Sequence, residues 1–399
     1  MERTANQELI ALTSLRGVAA LFVIYHHLMY VLLPNIGYSM PGELFLKSYL
    51  WVDLFFILSG FVIAYVYQHR FRRAENRPTY RSFIKSRFAR VYPLHLFMLG
   101  LFVVYEGVQW LLTAVGADGM QYLATPFTGK QSIESLLTNL FLVQTLHWAA
   151  YWNEPAWSIS AEWLIYLIMP LVLVGMGGLR QPWLVLLAAL AFAPLVWIEQ
   201  RFGDLGILFA GWPMLLRCLA GAVLGIVMFR WFKAGRFARL ASAKLALPVL
   251  AVNLVLLNFP VSHVLSVAGF ALLVLCAARI PAQSGHILNH SWLHYLGQIS
   301  YSVYLVHWLL IDMLRDASLF LTGRHIYEVL PEPAQWAMFL LVPGLVILIS
   351  HWTYHRVELP CRERLKSASF RELVGAGFRR VSPWRLKAGK TKGRAMSDR

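Results

Sequence analysis

The chain has 399 residues, of which 58% are hydrophobic and only 14% charged, with a formal net charge of +16. Soluble domains carry about 45–50% apolar and about 25% charged residues, so the composition excludes an ordinary soluble globule and points to a membrane protein. The three cysteines, Cys218, Cys276 and Cys361, imply no disulfide framework, and no folded basic domain is present that would make nucleic acid a partner.

Ten apolar segments are long enough, or nearly so, to cross a bilayer. They cover roughly 9–33, 45–67, 91–114, 157–176, 182–199, 207–229, 245–259, 262–279, 295–315 and 335–355. The fold class is therefore all-α and polytopic, with about ten transmembrane helices. The first span is too long, and too poor in small residues at a cleavage site, to be a removable signal peptide. It contains Arg16 and His27. At about 100° per residue, eleven steps return to within about 20° of the start, so the two share one helix face about 16 Å apart. That is roughly half a bilayer core. Ionisable groups in a span are costly and mark function by default. His26 points about 80° away from that face and reads as a packing residue or one that supports the site from behind.

The second span holds Asp53 and the run Ser59-Gly60-Phe61, in which Gly60 suits close helix packing. Arg87 and Arg90 open the third span, three residues apart and so neighbours on one face. Residues 133–149 are apolar but are cut by Asn139, Gln144 and His147, which favours an interfacial or re-entrant helix over an eleventh span. Ser158 and Glu162 lie in the fourth span and Arg217 in the sixth. The short seventh and eighth spans meet at Asn258-Phe259-Pro260, so a single re-entrant hairpin is an alternative reading of them. His286, His290 and His294 recur at four-residue spacing, but no cysteine or carboxylate joins them, so no metal is expected there. Ser300, Tyr301, Tyr304 and His307 follow in the ninth span.

Charge sets the expected orientation. With the N-terminus cytoplasmic, the loop 68–90 holds Arg70, Arg72, Arg73, Arg77, Arg81, Lys85, Arg87 and Arg90, and the chain from His355 onward carries thirteen more Lys and Arg. The opposite loops hold only Lys47, Lys130, Arg201 and Arg324. This positive-inside bias predicts that both termini are cytoplasmic. Residues 1–360 form one membrane domain, and 361–399 form a basic tail that is disordered or lies on anionic lipid headgroups. Cations thus gather at the inner face, with histidines and carboxylates at mid-depth and above. A site that draws an anionic cofactor from the cytoplasm and does proton chemistry deeper in has this layout.

The same residues carry a resemblance. The chain resembles the acyltransferase-3 family of integral membrane O-acyltransferases, which modify sugars of O-antigens, exopolysaccharides and Nod factors. The matching elements are Arg16 with His27, then Ser59-Gly60-Phe61, then Arg87, Arg90, Tyr92 and Pro93. Trp157, Ser158 and Glu162 follow, then Ser300, Tyr301, Tyr304 and His307, and finally Glu358 with Pro360. They span about 10–360. Ala161 and Trp163 depart from the pattern, since members often carry a second acidic or amide residue beside the glutamate. The C-terminal periplasmic hydrolase-like domain of some members is not expected here.

The resemblance implies a bacterial inner (plasma) membrane enzyme that moves an acyl group, most often acetyl, from cytoplasmic acyl-CoA to a carbohydrate or glycolipid hydroxyl. His27 is the expected general base, because a group with a pKa near 6.5 suits removal of a hydroxyl proton. Asp53 or Glu162 would orient it. Ser158, Tyr301, Tyr304 or His307 would donate to the oxyanion. Arg87 and Arg90 suit the phosphates of CoA, and Arg16 its pantetheine arm or a deeper phosphate. Structural roles compete with these: Arg87 and Arg90 as positive-inside anchors, Asp53 or Glu162 as an ion-pair partner of Arg217, and Tyr301 and Tyr304 as core. The alternative class is a transporter whose buried His, Asp, Glu and Arg form a proton or substrate path. Such a protein often shows an internal repeat and paired broken helices, and neither is detectable. Trp148, Tyr151, Trp152 and Trp336 near the outer loops suit either sugar rings or the membrane interface.

Overall fold

The computed structural model describes residues 8–72, 79–147, 151–205 and 210–367. The described residues are helical, with no strand among them. The principal helices are α1 (Ile10–His27), α2 (Trp51–Arg72), α3 (Tyr80–Ala114), α4 (Ile133–Leu140), α5 (Trp157–Gly177), α6 (Gln181–Phe202) and α7 (Trp212–Lys233). They continue with α8 (Ala246–Asn258), α9 (His263–Ala277), α10 (Ser291–Gln298), α11 (Ser300–Thr322), α12 (Glu332–Thr353) and α13 (Leu359–Ser367). Among the described residues, seven helical stretches are long and apolar enough to cross a membrane, and they contain α1, α2, α3, α5, α6, α7 and α12. The chain is an all-α, multi-pass membrane protein.

Three sequence expectations change at this level. The seventh and eighth spans shorten to helices of 13 and 15 residues, against the roughly 20 of a typical span. The ninth span does not start at 295. The chain breaks at Ile299, leaving α10 as a separate short helix, and the 23-residue α11 begins at Ser300. The boundary drawn at 360 falls inside α13, which continues to Ser367 and reaches α3 through a bond from Lys85 Nζ to the Lys366 carbonyl (3.0 Å). The rest of the basic tail, 368–399, lies outside the described residues.

Small residues set the tightest packing. A Cβ on Gly60 or Gly225 would collide with the backbone of Ala222 or Ile57, and one on Gly221 with Phe56. These glycines let α2 and α7 approach backbone to backbone, as membrane helices do without a hydrophobic drive between them. The Gly17–Gly297 contact seats α10 on α1 in the same way.

The segment after α3 re-enters the protein. Helix α4 has eight residues, too few to span, and a 3-10 turn at Gln144–Leu146 follows it. Its backbone is irregular, with Leu142 at φ 56° and fully buried, so protein groups must satisfy it. His95 Nε2 bonds the Asn139 carbonyl (2.7 Å), Ser160 Oγ donates to Leu142 O (2.9 Å), and Thr145 Oγ1 donates to Trp157 O (2.6 Å). These bonds anchor the N-terminus of α5, where Ser158 sits.

Candidate active site

A cleft whose empty space, open solvent included, is about 810 Å³ lies between α1, α2, α3, α5 and α11. Its polar lining brings together Arg16, Arg87, Arg90, Ser59, Ser158, Glu162, Tyr166, Ser300, Tyr301 and Tyr304, and α2 contributes an apolar wall that includes Val52, Phe55 and Phe56. Seven of the ten site residues expected from sequence therefore share one cavity, although they come from four helices.

The arginines form one end. Arg87 sits among the rings of Tyr67, Phe83 and Tyr166, at 5.6, 6.0 and 5.9 Å from their centroids. Its Nε is buried without a hydrogen-bond partner among the described residues. Arg90 lies 5.9 Å from the Tyr301 ring and 3.4 Å from Glu358 Oε1, and Ser302 Oγ holds the other Glu358 oxygen (2.8 Å). No carboxylate pairs with Arg16 or Arg87 among the described residues. Glu162 instead accepts from Tyr166, whose hydroxyl also meets Ser59 Oγ (3.2 Å). Two guanidinium groups without a counter-ion among the described residues, in a partly closed space, have the chemistry to receive an anion.

The other end of the cavity is a hydroxyl cluster. Ser158 Oγ and Tyr304 Oη are 2.7 Å apart, and each also reaches the Pro155 carbonyl, at 3.1 and 3.0 Å. Each hydroxyl proton can point to either of two acceptors, so neither is fixed in one direction. Tyr301 is already committed, donating to the Val91 carbonyl at 2.6 Å. Phe55 packs edge-on to Tyr304 at 5.8 Å.

One helical turn beyond Tyr304 on α11 stands His307, its ring 5.9 Å from the Tyr304 ring. His307 Nε2 is 3.1 Å from His27 Nδ1, and Trp308 meets the His27 ring edge-on at 5.1 Å. His27 is the last residue of α1, where the helix widens into a π-helical turn, Leu28–Leu32. Such turns often mark functional sites.

No carboxylate bonds His27 among the described residues. Asp53 lies on the far side of α2 and binds Arg217 with both oxygens, at 2.9 and 2.7 Å, each residue 1% exposed. A buried guanidinium demands a full counter-charge, so Asp53 has no free oxygen for a histidine. Glu162 bonds Tyr166 and makes no bond to His27. Tyr151 and Trp152 are buried core, and Trp148 lies outside the described residues. The histidine row disperses: His286 caps a turn at Leu288 N (3.1 Å), and His294 pairs with Glu8 (2.9 Å).

A family model described as an acyltransferase domain matches residues 9–354. The chain belongs to the acyltransferase-3 family. It is 33% identical over 170 residues to "Protein 2 in picA locus" of Rhizobium radiobacter, covering 41% of this chain and 82% of that protein. It is 29% identical over 332 residues to "Acyltransferase MdmB" of Streptomyces mycarofaciens, covering 75% of this chain and 78% of the relative. No solved structure matches it. The protein is thus a membrane acyltransferase with an acyl donor and an acceptor substrate. Glu358, just past the matched acyltransferase-3 region, still reaches back to Arg90. The aromatic enclosure of Arg87 was not foreseen. Tyr166 was legible as the i+4 neighbour of Glu162, whereas Tyr67 and Phe83 meet Arg87 only through tertiary packing.

Proposed function

We propose that the protein transfers an acyl group, acetyl in the simplest case, from cytoplasmic acyl-CoA to a hydroxyl of a cell-surface or secreted carbohydrate, with His27 as general base. The observation that carries this reading is the cavity's polarity: guanidinium groups lacking counter-ions at one end and a hydroxyl cluster at the other, with the His27–His307 pair outside the lining, 5.9 Å beyond the Tyr304 ring. Arg87 and Arg90 receive donor phosphates. Arg16, deeper along α1, takes a phosphate or the polar pantetheine arm, which lies along the apolar wall of α2.

The acceptor hydroxyl gives its proton to His27 as its oxygen attacks the thioester carbon. Ser158 or Tyr304 donates to the oxyanion. The C–S bond then breaks, and the departing thiolate takes the proton from the imidazolium, leaving an ester and a free thiol. Both termini face the cytoplasm of a bacterial inner membrane, and the bundle crosses about ten times, counting α8, α9 and α11.

His27→Ala is expected to abolish ester-linked acetyl on envelope glycans while protein level and insertion stay normal; full acetylation in that variant removes His27 as the base. Mass spectrometry of surface and secreted glycans with and without the gene should show a loss of one acyl mass on a defined sugar. An unchanged glycan profile would remove the carbohydrate acceptor.

A further inference from the structure

Resting on the reading of His27 as the base, we infer that His307 is its positioning residue, a neutral histidine in the place where many catalytic histidines hold a carboxylate. The argument is a proton count. His307 Nδ1 lies 3.2 Å from the Val303 carbonyl. A carbonyl only accepts, so Nδ1 carries the proton and, in the neutral ring, Nε2 keeps its lone pair. His27 Nδ1 lies 3.1 Å from that Nε2 and 3.0 Å from the Val23 carbonyl. Both are acceptors, so the His27 proton sits on Nδ1. The lone pair is then on His27 Nε2, which bonds nothing among the described residues. Two independent carbonyls thus agree on one tautomer for the pair, with the basic nitrogen left open to a hydroxyl.

The two acceptors do different work. Val23 belongs to the helix of His27 and fixes which nitrogen is protonated. His307 comes from α11, the helix of Tyr304, and sets the angle of the His27 ring relative to the hydroxyl cluster. Trp308, next on α11, bounds the ring edge-on. His307 itself is fully buried and cannot drift. When His27 Nε2 takes the acceptor's proton, Nδ1–H keeps both acceptors and the new charge is stabilised where it forms. A neutral partner also spares the membrane interior a second charge, which a carboxylate would add. Among the described residues, the other titratable ring beside His27 is His26, at 4.9 Å, and it contributes no charge when neutral.

The test uses the full chain in membranes, with acetyl-CoA as donor and the host's own envelope glycans as acceptor. It reads base-labile acetyl per inserted, acetyl-CoA-binding protein, so misfolded molecules are not counted. His307→Gln places an amide oxygen near the position of Nε2. His307→Asn stops near Nδ1 and leaves His27 with Val23 alone, yet it is equally polar. Gln is expected to retain turnover within about 5-fold and Asn to lose on the order of 10- to 100-fold, part of the 10²–10⁴ that a general base supplies. The KM for acetyl-CoA should not change. Equal turnover in the two variants, or a loss confined to the donor KM, overturns the positioning role. His27→Ala in the same assay separates the two ideas: full turnover there defeats the base reading, whereas an inactive His27→Ala beside a wild-type His307→Asn defeats only the role of His307.

Discussion

Arg87 and Arg217 show that an arginine of this bundle has two quite different fates. Arg217 is saturated by Asp53 and by the Leu205 carbonyl (2.6 Å), and its role is structural. Asp53→Ala leaves that guanidinium buried without a counter-ion and should cost about 3–5 kcal/mol, while replacing both partners with Leu and Met should recover most of it. Thermal unfolding in detergent checks this; a single variant as stable as the parent would contradict the pair's role. Arg87 has aromatic faces and no carboxylate. Arg87→Lys keeps the charge but loses the planar, stacked fork, so acetyl-CoA affinity should fall about 10-fold. Undiminished affinity would mean that only charge counts there. Sequence showed that Arg16, Arg87 and Arg90 were worth noting because charge in a span is rare. It left open which carboxylate went with which cation, because Asp53 and Arg217 are 164 residues apart and only the docking of α2 on α7 joins them.

That docking is also where helices carry the site. Helix α2 supplies the apolar cavity wall, and its position is fixed by Gly60, Gly221 and Gly225. Gly60→Ala drives a methyl into the backbone of Ala222, which cannot swing aside as a flexible side chain would. A loss of about 1–3 kcal/mol is expected, together with weaker donor binding as α2 is pushed off. Gly107→Ala on α3, with nothing within 4 Å of the added carbon, should be neutral or stabilise by up to about 1 kcal/mol. Paired melting curves test both; a Gly60 variant matching the Gly107 variant would refute the close-approach argument. The small-residue pattern was legible in Ser59-Gly60, but the helix ends were not. Hydropathy runs unbroken through Ile299, and the break there depends on Gly297 meeting Thr13 of α1, a contact between distant segments. The polar interruptions at Asn139 and Gln144 fall where the backbone turns irregular after α4, and irregular backbone needs protein partners.

For the molecule as a whole, the proposed cytoplasmic placement of the termini is open to a direct check. Cys361, on α13, is partly exposed, whereas Cys218 and Cys276 are buried. A membrane-impermeant thiol reagent should label Cys361 in inside-out vesicles and fail in sealed right-side-out ones; the opposite pattern would invert the topology and place the arginines on the wrong side for acyl-CoA. The separation of the arginines from the histidine pair has a further consequence, in terms of membrane voltage. On the proposed reaction, an acyl group leaves the inner side as a proton from the acceptor arrives on the departing thiol. The coenzyme phosphates never cross. Moving one uncompensated charge through the membrane would couple the reaction to about 2.3 kcal/mol per 100 mV. Here the exchanged groups balance, so no net charge traverses the field. Acylation should therefore proceed at the same rate in de-energised vesicles as in energised ones, driven by the thioester alone.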